Sequence, residues 1–166
     1  MTSDEDLMTA PVHGSAWLSA YQGQPRPMDA GMFSLVMLPT SPFWARRYTR
    51  LFVEGCRGIT EQTAEFAELL VSELVTNAIR FSKYPTPEWS YSERTSAGLI
   101  SLSLRHFPKS LLIEVYDTDN NPPLLLHADD NAEGGRGLVL VNAISKEWSY
   151  FFVPDGKVVY CLLETS

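Results

Sequence analysis

The feature that most constrains this sequence is a long amphipathic helix in its first half. Leu70, Leu74, Ala78 and Phe81 recur three or four residues apart, which places side chains on one face of an α-helix. The pattern begins near Thr60 or Thr63, and glutamates follow that suit the positive end of a helix. A helix of this length with one apolar face needs a second layer to cover that face.

Alternating apolar and polar residues predict that the second layer is a β-sheet. Two hairpins are expected, one turning at residues 108–110 and one at 154–156. A first helix is expected from Ser41, where a hydroxyl precedes Pro42. The predicted strands are 33–38, 99–107, 111–116, 147–153 and 158–163. Strands and helices that do not strictly interleave predict an α+β fold, a two-layer sandwich in which a mostly antiparallel mixed sheet carries helices on one face.

Length and composition predict one globular domain. The chain has 166 residues, of which 45% are apolar, enough for a substantial core. Residues 1–30 are rich in small and polar residues and are expected to form a loosely ordered arm, followed by a domain over 31–166. The loop at 83–98 is polar and contains proline. The start of the chain is acidic and has no basic segment. We therefore expect a cytoplasmic location and no secretory signal.

Charge and cysteine usage exclude several function classes. The net charge is −7 and the 13 basic residues are scattered, which argues against a nucleic-acid surface. No apolar run approaches the ~18 residues of a membrane span. Cys56 and Cys161 are far apart and are expected to be buried, reduced thiols. His13, His106 and His127 are not spaced with carboxylates or thiols as metal ligands are, so the sequence predicts no zinc site.

Three short segments carry residues that could perform chemistry. Glu73 and Asn77 lie one turn apart on the long helix, and Asp117 ends a predicted strand. The glycines within 134–137 precede a predicted helix that begins near Leu138, and a glycine-rich helix N-terminus suits phosphate binding. Taken singly, each has an ordinary explanation as a polar helix rim, a turn-forming aspartate or a flexible helix entry.

The order and spacing of the three segments resemble the GHKL (Bergerat-fold) ATPases. Residues 71–80 (VSELVTNAIR) resemble the N box of the branch that contains the bacterial anti-sigma-factor serine kinases. Residues 114–117 (EVYD) with the prolines at 122–123 resemble its G1 box, and residues 133–138 (EGGRGL) resemble its G2 box. The resemblance covers roughly residues 33–163. It implies the histidine-kinase-like ATPase fold and a site for ATP and Mg²⁺.

The resemblance also implies a role for each site residue. Glu73 would be the general base or would orient it, Asn77 would bind Mg²⁺, and Asp117 would accept a hydrogen bond from the adenine amino group. The implied phosphate-binding loop comprises Gly134, Gly135, Arg136, Gly137 and Leu138.

Two positions depart from the family pattern. The family's Asp-x-Gly has Asp119 in the glycine position, which is expected to reduce backbone freedom and add negative charge near the nucleotide. The Gly-Lys-Thr near the C-terminus of the branch ends here in Val158, which cannot form a side-chain hydrogen bond. Such a loss costs on the order of 1–3 kcal/mol, so weaker ATP binding is expected.

Three functions are consistent with these observations. The resemblance implies a protein serine/threonine kinase that sequesters a sigma factor and phosphorylates a serine of an antagonist protein. The alternative is a non-catalytic regulator of the same fold, whose binding to a protein partner depends on nucleotide or is independent of it. Members of the branch often form homodimers, and the resemblance leaves that state open. A third reading is an unrelated structural α+β domain.

Overall fold

The computed structural model describes residues 26–81, 98–123 and 136–165. Residues 1–25, 82–97, 124–135 and 166 lie outside the described residues. They include most of the predicted arm at 1–30, the predicted loop at 83–98 except its last residue, and the segment 124–135. That last segment contains Gly134 and Gly135.

A five-stranded sheet forms one layer of the described structure, in the order β1-β2-β3-β5-β4. Its strands are β1 (Asp29–Val36), β2 (Leu99–Phe107), β3 (Ser110–Asp117), β4 (Glu147–Val153) and β5 (Gly156–Glu164). All four pairings are antiparallel, and both predicted hairpins are present. The first strand begins four residues before the predicted start at residue 33. Its small residues Ala30 and Gly31 are weak strand formers, but pairing with β2 extends the ladder back to Asp29.

Three helices form the second layer of the described structure. They are α1 (Ser41–Gly55), α2 (Glu61–Phe81) and α3 (Arg136–Ile144). The Thr60 hydroxyl accepts the Thr63 backbone N–H at 3.2 Å, a side-chain cap that begins α2 at the first of the two predicted starts. Leu70, Leu74 and Ala78 are buried as the periodicity predicts. None of the described helices is both long enough and apolar enough to span a bilayer.

The main core lies between the helices and one face of the sheet. Leu70 and Val75 of α2 belong to the same buried cluster as Leu104, Ile113 and Cys161 of the central strands. The two cysteines are free and buried, as expected. The opposite face of the sheet carries a second apolar cluster to which no described helix contributes, formed by Phe107, Leu112, Phe151, Val158 and Tyr160. The predicted α+β sandwich with helices on one face is confirmed.

The buried face of α1 carries its small residues and not its large apolar ones. Its buried positions are Ser41, Ala45, Thr49 and Val53, whereas the large apolar residues Phe43, Trp44 and Leu51 are exposed. Trp44 therefore does not belong to the core, because 56% of its surface is accessible. A helix that packs against both a sheet edge and a second helix buries its small residues at the closest approach, so side-chain size alone does not identify the buried face.

Two of the three arginines of α1 contact α2. Arg46 Nη1 donates to Ser72 Oγ at 2.7 Å. Arg50 forms ion pairs with Glu61 at 2.7 Å and Glu68 at 2.5 Å. Together these contacts hold α1 alongside α2.

Candidate functional site

The three sequence motifs meet at one small cavity between α2, the end of β3, α3 and β5. The cavity is lined by Leu74, Asn77, Ala78, Asp117, Pro122, Pro123, Leu138, Lys157 and Val159. Its volume is about 10 Å³, room for about one water molecule. Asn77, Asp117 and Leu138 are therefore neighbours in space, although 40 residues separate the first two and 21 the last two.

Asn77 offers an unused hydrogen-bonding group at this cavity. Its amide nitrogen Nδ2 is buried and has no hydrogen-bond partner among the described residues. A buried polar atom left without a partner costs about 1–3 kcal/mol. Such an atom lining a cavity marks a place where a ligand or a water molecule would be stabilised.

Glu73 lies one turn before Asn77 and contacts the start of α3. A Cβ added to Gly137 would lie 2.4 Å from Glu73 Oε2, closer than non-bonded atoms can approach. Only glycine at this position lets the carboxylate pack against the first turn of α3. The positive end of the helix dipole also favours a negative group there.

Asp117 at the end of β3 is part of a buried charged cluster that sequence reasoning missed. Lys157 Nζ donates to Asp117 Oδ1 at 2.9 Å and to Asp119 Oδ2 at 2.9 Å. It also donates to the backbone oxygen of Asp119 at 3.2 Å, and Asp117 Oδ1 accepts the Asp119 backbone N–H at 2.8 Å. The side chains of Asp117 and Asp119 are each 1% exposed and that of Lys157 is 4% exposed. We call these three residues the Lys157 cluster.

The two carboxyl groups of the Lys157 cluster have pKa values that move in opposite directions. Burial raises the pKa of Asp117, and the hydrogen bond and charge of Lys157 only partly offset that effect. Burial acts in the same direction on Asp119, but hydrogen bonds from Lys157 and Asn121 outweigh it and lower the pKa. Burial disfavours the ionised form of a carboxyl group, and donated hydrogen bonds favour it.

The structure changes the meaning of the two departures from the family pattern. The negative charge of Asp119 is compensated by Lys157, and no described residue other than glycine has a positive φ, so its backbone conformation does not require glycine. Val158 lies in the apolar cluster on the other face of the sheet, whereas its neighbours Lys157 and Val159 line the cavity. The expected loss of an adenine contact at Val158 is therefore not supported.

Gly156 allows the charged cluster to assemble. A Cβ at this position would lie 2.0 Å from the backbone oxygen of Asp117 and 2.9 Å from Thr118 Cα. The atoms that would clash belong to the backbone, so they cannot swing away as a side chain can. The Gly-Lys pair at 156–157 is visible in the sequence, but a lysine within a strand suggests an exposed position unless its partners are known.

Comparison with known proteins identifies the fold family. A family model described as a histidine kinase-like ATPase domain matches residues 43–161, which include α2, the end of β3 and the cavity. This chain belongs to the histidine kinase-like ATPase domain family. No curated protein matches the sequence significantly.

A solved structure supports the fold of this ATPase domain. It contains the RsbU and RsbW domains of Rv1364c from Mycobacterium tuberculosis, superposes with a TM-score of 0.59 and is 16% identical in sequence. The match covers 84% of the present chain and 33% of the other, so this chain spans about a third of that protein. At this identity the likeness establishes a common fold.

In this histidine kinase-like ATPase domain, the described residues fit the Mg²⁺ and phosphates of a nucleotide better than they fit its adenine. The amide of Asn77 supplies an oxygen of the kind that Mg²⁺ prefers, and Gly137 lies in the first turn of a helix whose N-terminus suits phosphate. At the other end, Lys157 already occupies one oxygen of Asp117, and a purine is far larger than the cavity. A nucleotide base would therefore fit only if residues that line the cavity move. Gly134, Gly135 and the side chain of Arg136 lie outside the described residues, so their predicted contacts remain predictions.

Proposed function

We propose that this chain is an ATP-binding regulatory protein that sequesters a sigma factor and phosphorylates a serine of an antagonist protein. The observation that carries the proposal is the convergence of Asn77, Asp117 and Leu138 on one cavity, with Glu73 packed against Gly137 beside it. An unrelated structural domain would not need a buried amide without a partner at the junction of three separate motifs. The sigma factor, the antagonist and the kinase reaction come from the resemblance to the anti-sigma-factor kinases.

Each residue has a defined task in this proposal. Asn77 would hold Mg²⁺ through its amide oxygen, the α3 N-terminus would bind phosphate oxygens, and Asp117 would accept from the adenine amino group. Glu73 would take the proton from the serine Oγ of the partner. Bound Mg-ATP would supply the γ-phosphoryl group and the charge neutralisation that phosphoryl transfer requires.

A second function is favoured by the Lys157 cluster. Because Lys157 Nζ lies 2.9 Å from Asp117 Oδ1, the carboxylate that would bind adenine is already engaged in an ion pair. A protein that keeps this ion pair closed would bind its partner without nucleotide and transfer no phosphate. The two functions therefore differ in whether partner binding or partner modification responds to ATP.

Calorimetric titration with Mg-ATP tests nucleotide binding. Wild type should release or absorb heat at millimolar nucleotide, and Asn77→Ala should weaken binding at least tenfold because it removes the amide from the cavity. Asn142→Ala is the matched control, since this exposed asparagine of α3 contacts Trp148 and not the cavity. Absence of heat from folded wild type at millimolar Mg-ATP would refute the ATP site.

Phosphate transfer to a captured partner separates the two functions. With labelled ATP, a kinase should place phosphate on a partner serine, and Glu73→Gln should abolish labelling while retaining Mg-ATP binding. Equal partner capture with and without ATP, together with no labelled serine, would favour the non-catalytic regulator. A label that persists in Glu73→Gln at the wild-type rate would remove Glu73 from the proposed chemistry.

A further inference from the structure

Three side chains that could bind a metal meet at the opposite end of the sheet from the candidate nucleotide site. Among the described residues, the donor atoms of Asp29, Cys56 and His106 all lie within 4.8 Å of one another. Asp29 begins β1 and is the cross-strand partner of His106 in β2. Cys56 follows the last residue of α1. Three separate elements thus each contribute one carboxylate, thiol or imidazole group.

The existing contacts bring these groups close to a metal-binding arrangement. His106 Nδ1 and Asp29 Oδ2 are 3.0 Å apart, and the Cys56 thiol donates to the Phe52 backbone oxygen at 3.3 Å. Tetrahedral zinc with ordinary bond lengths separates nitrogen and oxygen ligands by about 3.4 Å and sulfur and nitrogen ligands by about 3.6 Å. No pair would need to close by more than about 1.2 Å, and the Asp29–His106 pair would open by about 0.4 Å.

We propose that Asp29, Cys56 and His106 bind a divalent transition-metal cation of the zinc class. Sulfur, imidazole nitrogen and carboxylate oxygen are the donors that this class of cation combines. His106 is 1% exposed and Cys56 is 8% exposed, so the protein interior surrounds two of the ligands. The Asp29 side chain is 42% exposed, which leaves the fourth coordination position open to water.

The site is separate from the candidate nucleotide cavity. Tyr116, next to Asp117, pairs with Ser101, and His106 lies five residues further along β2, which is roughly 16 Å of strand. The inference therefore goes beyond the proposed function and does not depend on it. A bound cation would join the first residue of an edge strand to its neighbour β2 and to the C-terminal end of α1.

Metal binding at this site must release a proton. The neutral Cys56 thiol loses its proton to solvent when sulfur becomes a ligand. The proton of the Asp29–His106 hydrogen bond moves to His106 Nε2, which frees Nδ1 and the Asp29 carboxylate for two bonds to the metal. No oxidant or reductant is involved. The ordinary alternative is a histidine held in place by a neighbouring carboxylate, and that arrangement would not respond to metal.

Cobalt and zinc titrations of the untagged full chain, treated with chelator and then dialysed, test the inference. Co²⁺ should produce thiolate charge-transfer absorption and the visible bands of a tetrahedral site at one equivalent per chain. Zn²⁺ should displace cobalt, and at a hundredfold excess over its Kd it should raise Tm by about 5–10 °C.

Matched cysteine variants locate the site. Cys56→Ser should lose the charge-transfer band, and His106→Gln and Asp29→Asn should lower cobalt affinity at least tenfold. Cys161→Ala should keep the band, because Cys161 is a free thiol in the main core. Folded wild type that shows neither the cobalt bands nor a zinc-dependent Tm overturns the inference. Unchanged cobalt affinity and spectrum in folded Cys56→Ser overturn it as well, since the metal would then bind elsewhere.

Discussion

Replacing Lys157 by methionine should strongly destabilise the domain at neutral pH. The substitution keeps an unbranched side chain as far as the ε position but removes the ammonium group that both Asp117 and Asp119 contact at 2.9 Å. Because the two carboxylates are each 1% exposed, water cannot replace the lost partner. Removing one partner of a buried ion pair costs about 3–5 kcal/mol, a large share of the roughly 5–15 kcal/mol that stabilises a domain.

The loss of unfolding free energy in Lys157→Met should become smaller as the pH falls. The pKa of Asp117 is already raised by burial while Lys157 is present, and it should rise further without the lysine. A carboxyl whose pKa is higher in the folded state than in the unfolded state binds its proton more tightly when folded. Its destabilising effect is therefore complete above the folded pKa and disappears as the pH falls through it. The lowered pKa of Asp119 in wild type gives stability that is lost only below the ordinary range of an aspartate.

Urea unfolding followed by tryptophan fluorescence at about pH 7.5 and about pH 5 measures both effects. Lys146→Met is the matched control, because Lys146 Nζ pairs with Glu164 at 2.7 Å while the side chains are 57% and 66% exposed. The control should leave the unfolding midpoint close to that of wild type. The reasoning would be refuted if Lys157→Met lowered the free energy of unfolding by less than about 1 kcal/mol at neutral pH. It would also be refuted if the decrease were the same at both pH values.

Two glycine substitutions test the close approaches at the candidate site. Gly156→Ala should lower the free energy of unfolding by about 2–4 kcal/mol, because its Cβ would meet the Asp117 backbone oxygen at 2.0 Å. Gly55→Ala is the control and should not lower Tm, because its Cβ would have nothing within 4 Å. Wild-type stability in Gly156→Ala would contradict the described geometry. Gly137→Ala should leave Tm nearly unchanged, since its Cβ would meet only the flexible end of Glu73, but it should weaken Mg-ATP binding in calorimetry; unaltered binding would show that the Glu73 contact is unimportant.

Periodicity was sufficient to predict the main elements of the fold. The apolar residues of α2 repeat every three or four positions and face a single surface, so the pattern and the burial agree. The hairpin formed by β2 and β3 is equally local, because its turn and alternation lie within twenty residues. The orientation of α1 could not be predicted in the same way, since Arg46 and Arg50 bind groups on α2 that its own sequence does not specify.

The candidate site was only partly predictable for the same reason. The order of the motifs indicated Asn77 and Asp117 because a known family carries them in that order. The role of Lys157 depends on a cross-strand neighbour 40 residues away, and its position in a strand resembles that of any surface lysine. The possible metal ligands Asp29, Cys56 and His106 are 27 and 50 residues apart, so the spacing rules that reveal local zinc motifs could not find them. Only the pairing of β1 with β2 and the end of α1 bring them together.

The direct pairing of Asp117 with Lys157 also bears on how β3 and β5 align. A one-residue slip of β5 would turn Lys157 towards the face of the sheet that carries Leu112 and Phe151 and would place Val158 beside two buried carboxylates. Since a slip of one residue reverses every side chain of a strand, we infer that the ion pair selects the native alignment against its nearest competitor. Faster amide exchange along Gly156–Glu164 in Lys157→Met than in an equally destabilised core variant would reveal that selection, and equal exchange would exclude it. The Lys157 cluster would then fix the pairing register of β5 in addition to forming part of the candidate site.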